Sequence, residues 1–318
     1  MYFPYLRGKQ YELLAVKEMT DLLGREEKVI PVIEPVRAPK GSGLDRCIEA
    51  VSNAGLQFVL VVNPAVGALR GPRISTALRD HVCAVDPDEH WGLGLILTDS
   101  TDMSSLISEY RAVFGDARPL SLIHKGYAQD LAASARLADP VNRGFDLINH
   151  DLRRARFRPL LARSSPVMLR DPFPAEARNS DYLSKTESMF TEDHLFYEEE
   201  GWTGFSDYLT IGEPYSEGGF TPRAVAIHWT YEPSPGAAIM IRHFTSESDS
   251  DTIADVGGKF LQAARKLVAF LNNQGIHTRA SEVMRTHLRD QTYPGLGIVK
   301  KLSIQNHLEL VSGILSKP

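Results

Sequence analysis

Cysteine is nearly absent: Cys47 and Cys83 are the only two among 318 residues. Two thiols cannot build a disulfide scaffold or a cysteine-based zinc site, and they fit a reducing, cytoplasmic setting. Long hydrophobic runs are missing too. No apolar stretch approaches the roughly 18 residues that a membrane helix needs, so no membrane association is expected. Met1 to Arg7 lacks the basic start and apolar core of a secretory leader. Neither sign of charge dominates: 35 Lys and Arg stand against 40 Asp and Glu, a net charge of −5. That balance gives no support to bulk non-specific DNA binding. Local chemical signatures are missing as well. There is no Walker A loop, no dinucleotide-binding glycine fingerprint, no HExxH and no Gly-x-Ser-x-Gly elbow. No internal repeat or low-complexity tract is present.

What is there is alternation. Short runs rich in Val, Ile and Leu recur at Tyr2–Leu6, Val29–Ile33, Phe58–Val62, Leu93–Leu97, Leu120–Ile123, Phe145–Ile148, Val167–Leu169 and Tyr208–Ile211. Such runs suit parallel strands buried on both faces. Helical patterns fall between them, over 10–23, 44–55, 73–84, after the capping-type pair Thr101-Asp102, and over 127–138. Eight runs joined by helices predict an α/β protein with a (β/α)8 TIM-like barrel. An open doubly wound sheet is the competing arrangement. Beyond the barrel, 224–231 and 238–244 read as a β-hairpin turned at Pro233–Gly236, and helices are expected over 252–274, 279–289 and 298–315. The division expected is 1–220 for the barrel and 221–318 for a hairpin and helical extension.

Parallel barrels keep their sites at the C-terminal ends of the strands. Here those ends read Arg7 and Lys9, Glu34, Asn63, Asp99, His124 and Lys125, His150 and Asp151, Asp171, and Glu213. Glu34, Asp99, His150 and Asp171 are the candidate acid–base groups, with Glu34 and Asp171 as a carboxylate pair. Arg7, Lys9, Asn63 and Lys125 are candidate ligand or phosphate donors. His150 and Asp151 with Asp171 and Asp99 could supply mixed nitrogen and oxygen ligands to a divalent metal. Strand ends meet solvent, however, so polar residues belong there in any case. His228 and His243 fall on the two hairpin strands; if both face the barrel they could complete the site, though satisfied structural histidines are the commoner outcome.

One segment is basic. Seven arginines lie between 152 and 178, with Arg153, Arg154, Arg156, Arg158 and Arg163 leading. Arginine suits bidentate phosphate contacts, so a nucleotide or a nucleic-acid backbone is a candidate partner. The stretch 186–220 carries nine acids and no Lys or Arg, and pairing between the two stretches would serve equally well.

The opening Tyr5-Leu6-Arg7-Gly8-Lys9-Gln10 with Glu12, followed by Ile33-Glu34-Pro35, resembles the start of the bacterial and phage Beta protein family. Further shared pieces are Arg178-Asn179-x-Asp181-Tyr182, Phe205-Ser206-Asp207-Tyr208, the Gly212–Phe220 loop, Ala224–His228, and Tyr293-Pro294-Gly295-Leu296-Gly297 with Lys300-Lys301. The resemblance spans nearly the whole chain. It implies a barrel protein of mobile-element or defence-type gene clusters, often beside a small nuclease-like protein, and points to Arg7, Lys9, Glu34, Arg178, Asn179, Asp181 and Asp207 as the place of a site. Three functions follow as expectations: a hydrolase-like enzyme or sensor for a phosphate-bearing ligand at the barrel mouth, a non-catalytic regulator of a neighbouring nuclease-like effector, or a nucleic-acid binder using Arg153–Arg163.

Overall fold

The computed structural model describes residues 1–24, 27–84, 91–129, 143–157, 165–218, 223–247 and 254–317. In chain order the strands are β1 (Tyr5–Leu6), β2 (Val32–Ile33), β3 (Val59–Val61), β4 (Gly92–Leu97), β5 (Leu120–His124), β6 (Arg143–Asn149), β7 (Ser165–Leu169), β8 (Glu187–Thr191), β9 (Gly204–Ser206), β10 (Ala226–Tyr231) and β11 (Ile239–Thr245). The chain gathers into two compact units. One holds Met1–Asp171 and Phe196–Asp207; the other holds Pro172–Leu195 and Tyr208–Pro318.

In the first unit, eight strands form one sheet in the order β1-β2-β3-β4-β5-β6-β7-β9. Every pairing is parallel. The sheet returns to its start: Tyr2 bridges Phe205, and Phe3 N donates to Phe205 O and Tyr5 N to Asp207 O, each at 2.8 Å. This nearly closed barrel, with helices along its connections, is the (β/α)8 architecture expected. Pro4 and Pro31 lack an N–H, which shortens the ladders of β1 and β2. The helical pattern over 10–23 is two helices, Gln10–Lys17 and Thr20–Leu23. Asp102 caps Met103–Phe114 by accepting from Ser105 N at 3.0 Å. The helix expected over 127–138 falls largely outside the described residues.

The eighth strand is not where the apolar pattern placed it. β9 is Gly204–Ser206, and the run Tyr208–Ile211 is a buried turn. Leu209 sits at φ 54°, and both Ile211 N and Gly212 N return to Tyr208 O. Gly204 is required for closure: a Cβ there would lie 2.6 Å from Met1 O and 2.7 Å from the Phe3 ring. The closing strand is thus small at the two positions, Gly204 and Ser206, that flank buried Phe205.

The second unit is built on an antiparallel sheet ordered β10-β11-β8. β10 and β11 are the expected hairpin, joined across a turn in which Ala237 N donates to Ser234 O. β8 joins its far side, a strand hidden in the acidic stretch. Helices Val256–Gln274, Arg279–Arg289 and Leu296–Leu315 accompany the sheet. Ile227, Trp229, Phe260, Leu267 and Met284 are among the fully enclosed residues of that core. Thr278 and Ser281 form a reciprocal capping box at the head of Arg279–Arg289. His307 is buried and bonds Thr230 Oγ1 at 3.0 Å, so it holds the last helix to β10. No helix among the described residues is long and apolar enough to cross a membrane.

Candidate functional site at the barrel mouth

Which side chains enter the barrel follows from one contact. The rings of Phe3 and Phe145 meet at 4.6 Å although their strands are not neighbours, so both point inward. Alternation then turns Tyr5 and Arg7 inward as well. Tyr5 pairs with Val32, which brings Val32 and Glu34 to the same face. Val32 pairs with Val59, which does the same for Asn63. On β5, Ile123 lies beside inward Gly94, and Lys125 follows it inward. The inner layer at the C-terminal ends of the strands therefore holds Tyr5, Arg7, Glu34, Asn63 and Lys125.

Glu34 is the centre of that layer and has no exposed surface. Its Oε2 accepts from the Tyr5 hydroxyl at 2.8 Å and from Arg7 Nη1. Its Oε1 accepts from Ala65 N at 2.8 Å. Lys125 Nζ lies 3.9 Å from Oε2 and 5.0 Å from the centre of the Tyr5 ring. Buried Glu12, on the first helix, accepts from Arg7 N at 2.7 Å. Gly8 makes the turn between them at φ 61°, where a Cβ would press within 3.1 Å of Pro35 Cα. The opening Tyr-x-Arg-Gly and the Glu-Pro after β2 are thus two halves of one buried ionic cluster.

The other sequence candidates are placed as follows. Asn63 spends both ends of its amide on Ile96, donating to its carbonyl at 2.9 Å and accepting from its N–H at 2.8 Å. It extends the β3–β4 ladder with a side chain. Asp99 accepts from Tyr127 N at 2.8 Å and braces the loop after β5. The His150 side chain is half exposed and 3.9 Å from Asp151. Asp171 is partly buried at the end of the first unit, and Lys9 is partly buried at the head of the first helix. Among the described residues no group of three or more His, Cys, Asp or Glu could hold a metal ion. The anticipated set of His150, Asp151, Asp171 and Asp99 is therefore not assembled. Arg178, Asn179 and Asp181 belong to the second unit. Asp181 accepts from Arg178 N at 3.1 Å, and Asn179 Nδ2 donates to Ala224 O at 2.8 Å. Asp207 accepts from the Tyr2 hydroxyl at 2.8 Å; burial, then that carboxylate, pushes the Tyr2 hydroxyl well above its ordinary range.

Sequence reasoning missed two groups. Tyr5 was signalled only by sharing inward parity with Arg7. Asp146 was signalled by an acid standing inside the apolar run Phe145–Ile148. It faces outward, where it meets His124 Nε2 at 3.0 Å beneath the edge of Phe157. His124 and Lys125 are adjacent in sequence and point to opposite sides of the barrel wall. In the basic segment, Arg154 donates to the carbonyls of Glu200 and Gly201 and covers Trp202, and Arg156 covers Tyr127. Arg158 and Arg163 lie outside the described residues. Comparison of the chain with protein-family models and with curated proteins gives no match.

Proposed function

We propose that the barrel mouth binds a small phosphate-bearing ligand, and that the chain acts as a sensor or hydrolase-like component of a defence or mobile-element cassette of the kind the Beta-family resemblance implies. The observation that carries the reading is the convergence of Arg7 and Lys125 on the inner layer at the C-terminal end of a parallel barrel. That end is where barrels hold ligands, and guanidinium and ammonium groups are the usual phosphate donors. Glu34 fixes the guanidinium fork, and Lys125 supplies a compact charge beside it. Glu34 already holds three donors, so it could serve as a base only by releasing one. Ligand binding is therefore the primary property, and turnover is tested separately.

The test is calorimetry with inorganic phosphate, pyrophosphate and glucose 6-phosphate, followed by an assay for released phosphate. At least one of them should bind, with affinity falling tenfold or more in Lys125→Met and declining as salt rises. Absence of binding, or binding indifferent to Lys125→Met, overturns the reading.

A second reading, regulation of a neighbouring nuclease-like protein, is favoured by the edge of the second sheet. β8 pairs only with β11 among the described residues, and Met189 on it is 54% exposed. An open strand edge with an exposed apolar side chain suits strand addition by a partner. Co-expression with the operon neighbour should give a complex that Met189→Lys weakens and Lys125→Met does not. No co-purification of the wild-type pair removes this reading.

A further inference from the structure

The second unit carries a cluster that the barrel mouth does not use. His228 on β10 and His243 on β11 face each other across the hairpin, with their Nδ1 atoms 2.7 Å apart. At that distance one ring donates and the other accepts. Burial pushes His243 down to about 4. Burial, reinforced by His243 and Lys300, pushes His228 down to about 3. Both rings are then neutral at pH 7. Each spends its Nδ1 on the other, and neither ring has another hydrogen-bond partner among the described residues. One Nε2 therefore bears a hydrogen and the other a lone pair.

Aromatic rings surround the pair. Phe173 stands edge-on to His228 at 5.1 Å, and Tyr182 lies 4.3 Å from His243 and 4.8 Å from His228. His228 lines a cavity of about 440 Å³ together with Phe173, Tyr182, Thr210 and Lys300. His243 lines a second cavity of about 480 Å³ that shares only Tyr182 with the first. Aromatic walls with a few convergent polar groups, at this volume, are the usual make-up of a small-molecule site.

We propose that the cavity beside His228 binds a planar heteroaromatic ring with hydrogen-bonding atoms along its edge, the chemistry of a nucleobase. Phe173 and Tyr182 supply the ring contacts. His228 Nε2 meets the ligand's edge, and Lys300, on the same cavity wall, is placed for a phosphate if the base carries one. The two histidines also transmit the event. A ligand accepting from His228 Nε2 fixes the hydrogen there, so His228 Nδ1 must accept from His243. His243 Nε2 then presents a lone pair to the second cavity. A ligand donating to His228 reverses that polarity.

The test uses the full chain with adenosine, guanosine, cytidine and uridine and their 5′-monophosphates. Binding is read by saturation-transfer NMR and calorimetry. At least one base should bind, with affinity falling roughly tenfold in His228→Asn and in Phe173→Leu, each checked for native circular dichroism. Tighter binding of a monophosphate than of its nucleoside assigns the phosphate to Lys300 and should vanish in Lys300→Met. ¹⁵N histidine spectra should show His243 changing its protonated nitrogen, or locking into one tautomer, on binding to the His228 side. A purely structural pair would not move. No binding of any of these compounds at millimolar concentration overturns the proposal, as does binding unaffected by both substitutions.

Discussion

Replacing Glu34 with glutamine keeps the volume of the side chain and removes its charge. The consequence follows from what surrounds it. Arg7 is 5% exposed and Glu34 fully enclosed, so the guanidinium loses the Glu34 charge without gaining water. The glutamine amide also brings two N–H groups into a place where Tyr5, Arg7 and Ala65 all donate. Breaking one side of a buried ion pair costs about 3–5 kcal/mol, against a typical total stability of about 5–15 kcal/mol. Replacing both partners with apolar residues of similar size strands no guanidinium and should cost less, although the Tyr5 hydroxyl and Ala65 N then lose their acceptor and Lys125 its neighbouring carboxylate. The comparison is therefore Glu34→Gln against Arg7→Met/Glu34→Leu. Urea unfolding by tryptophan fluorescence reads it in a Trp229→Phe background, where Trp91 and Trp202, both in the barrel unit, remain as reporters. The single variant should lose at least about 3 kcal/mol and the double variant at least about 1 kcal/mol less than the single. A single variant within about 0.5 kcal/mol of the parent, a change of the size of an ordinary surface substitution, refutes the buried-pair reasoning. So does a double variant as weak as the single.

Acid should weaken the second unit through its histidine pair. The folded state holds His243 near 4 and His228 near 3, below the ordinary 6.5, so between pH 6.5 and 4 the unfolded chain takes up protons that the folded chain refuses. Stability is therefore intact above pH 6.5 and falls below it, by roughly 3 kcal/mol for His243 alone at about 1.4 kcal/mol per pH unit. Trp229 fluorescence during urea unfolding at several pH values reads this, and a His243→Asn variant that keeps the same slope assigns the decline elsewhere. In the barrel, Asn63→Leu strands the buried N–H and C=O of Ile96 and should cost roughly 2–4 kcal/mol. An unchanged urea midpoint would show that the β3–β4 ladder closes without that amide.

Most of the barrel was readable because a parallel strand buried on both faces has to be apolar throughout, and seven such runs lie on real strands. The last strand escaped the same reading for a physical reason. Gly204 and Ser206 are small because β9 packs against Phe3, and the richer run at Tyr208–Ile211 is apolar because it is a buried turn. β8 was equally hidden, since Glu187–Thr191 buries only its last two residues and reads as part of an acidic stretch. At the mouth, Arg7, Glu34 and Lys125 were legible as strand ends. Their grouping was not, because it depends on parity: His124 is adjacent to Lys125 and faces the other way. Asn63 looked like a ligand donor and is consumed by Ile96, a pairing that no local pattern announces.

The closing seam of the barrel sets an order on synthesis. Ser206 Oγ donates to Phe3 O across a separation of 203 residues. At about 5–20 residues per second, the first strand waits roughly 10–40 s on the ribosome before its last neighbour exists. β2 can cover one edge of β1 early, but the other edge stays open through that interval. Between β7 and β9 the chain also makes β8, whose own partner β11 comes later still. Two sheets are thus incomplete at once, each with an unpaired edge, while the nascent chain is tethered. Slowing translation lengthens that vulnerable period, whereas speeding it shortens the time in which a neighbouring nascent chain could capture the open edge.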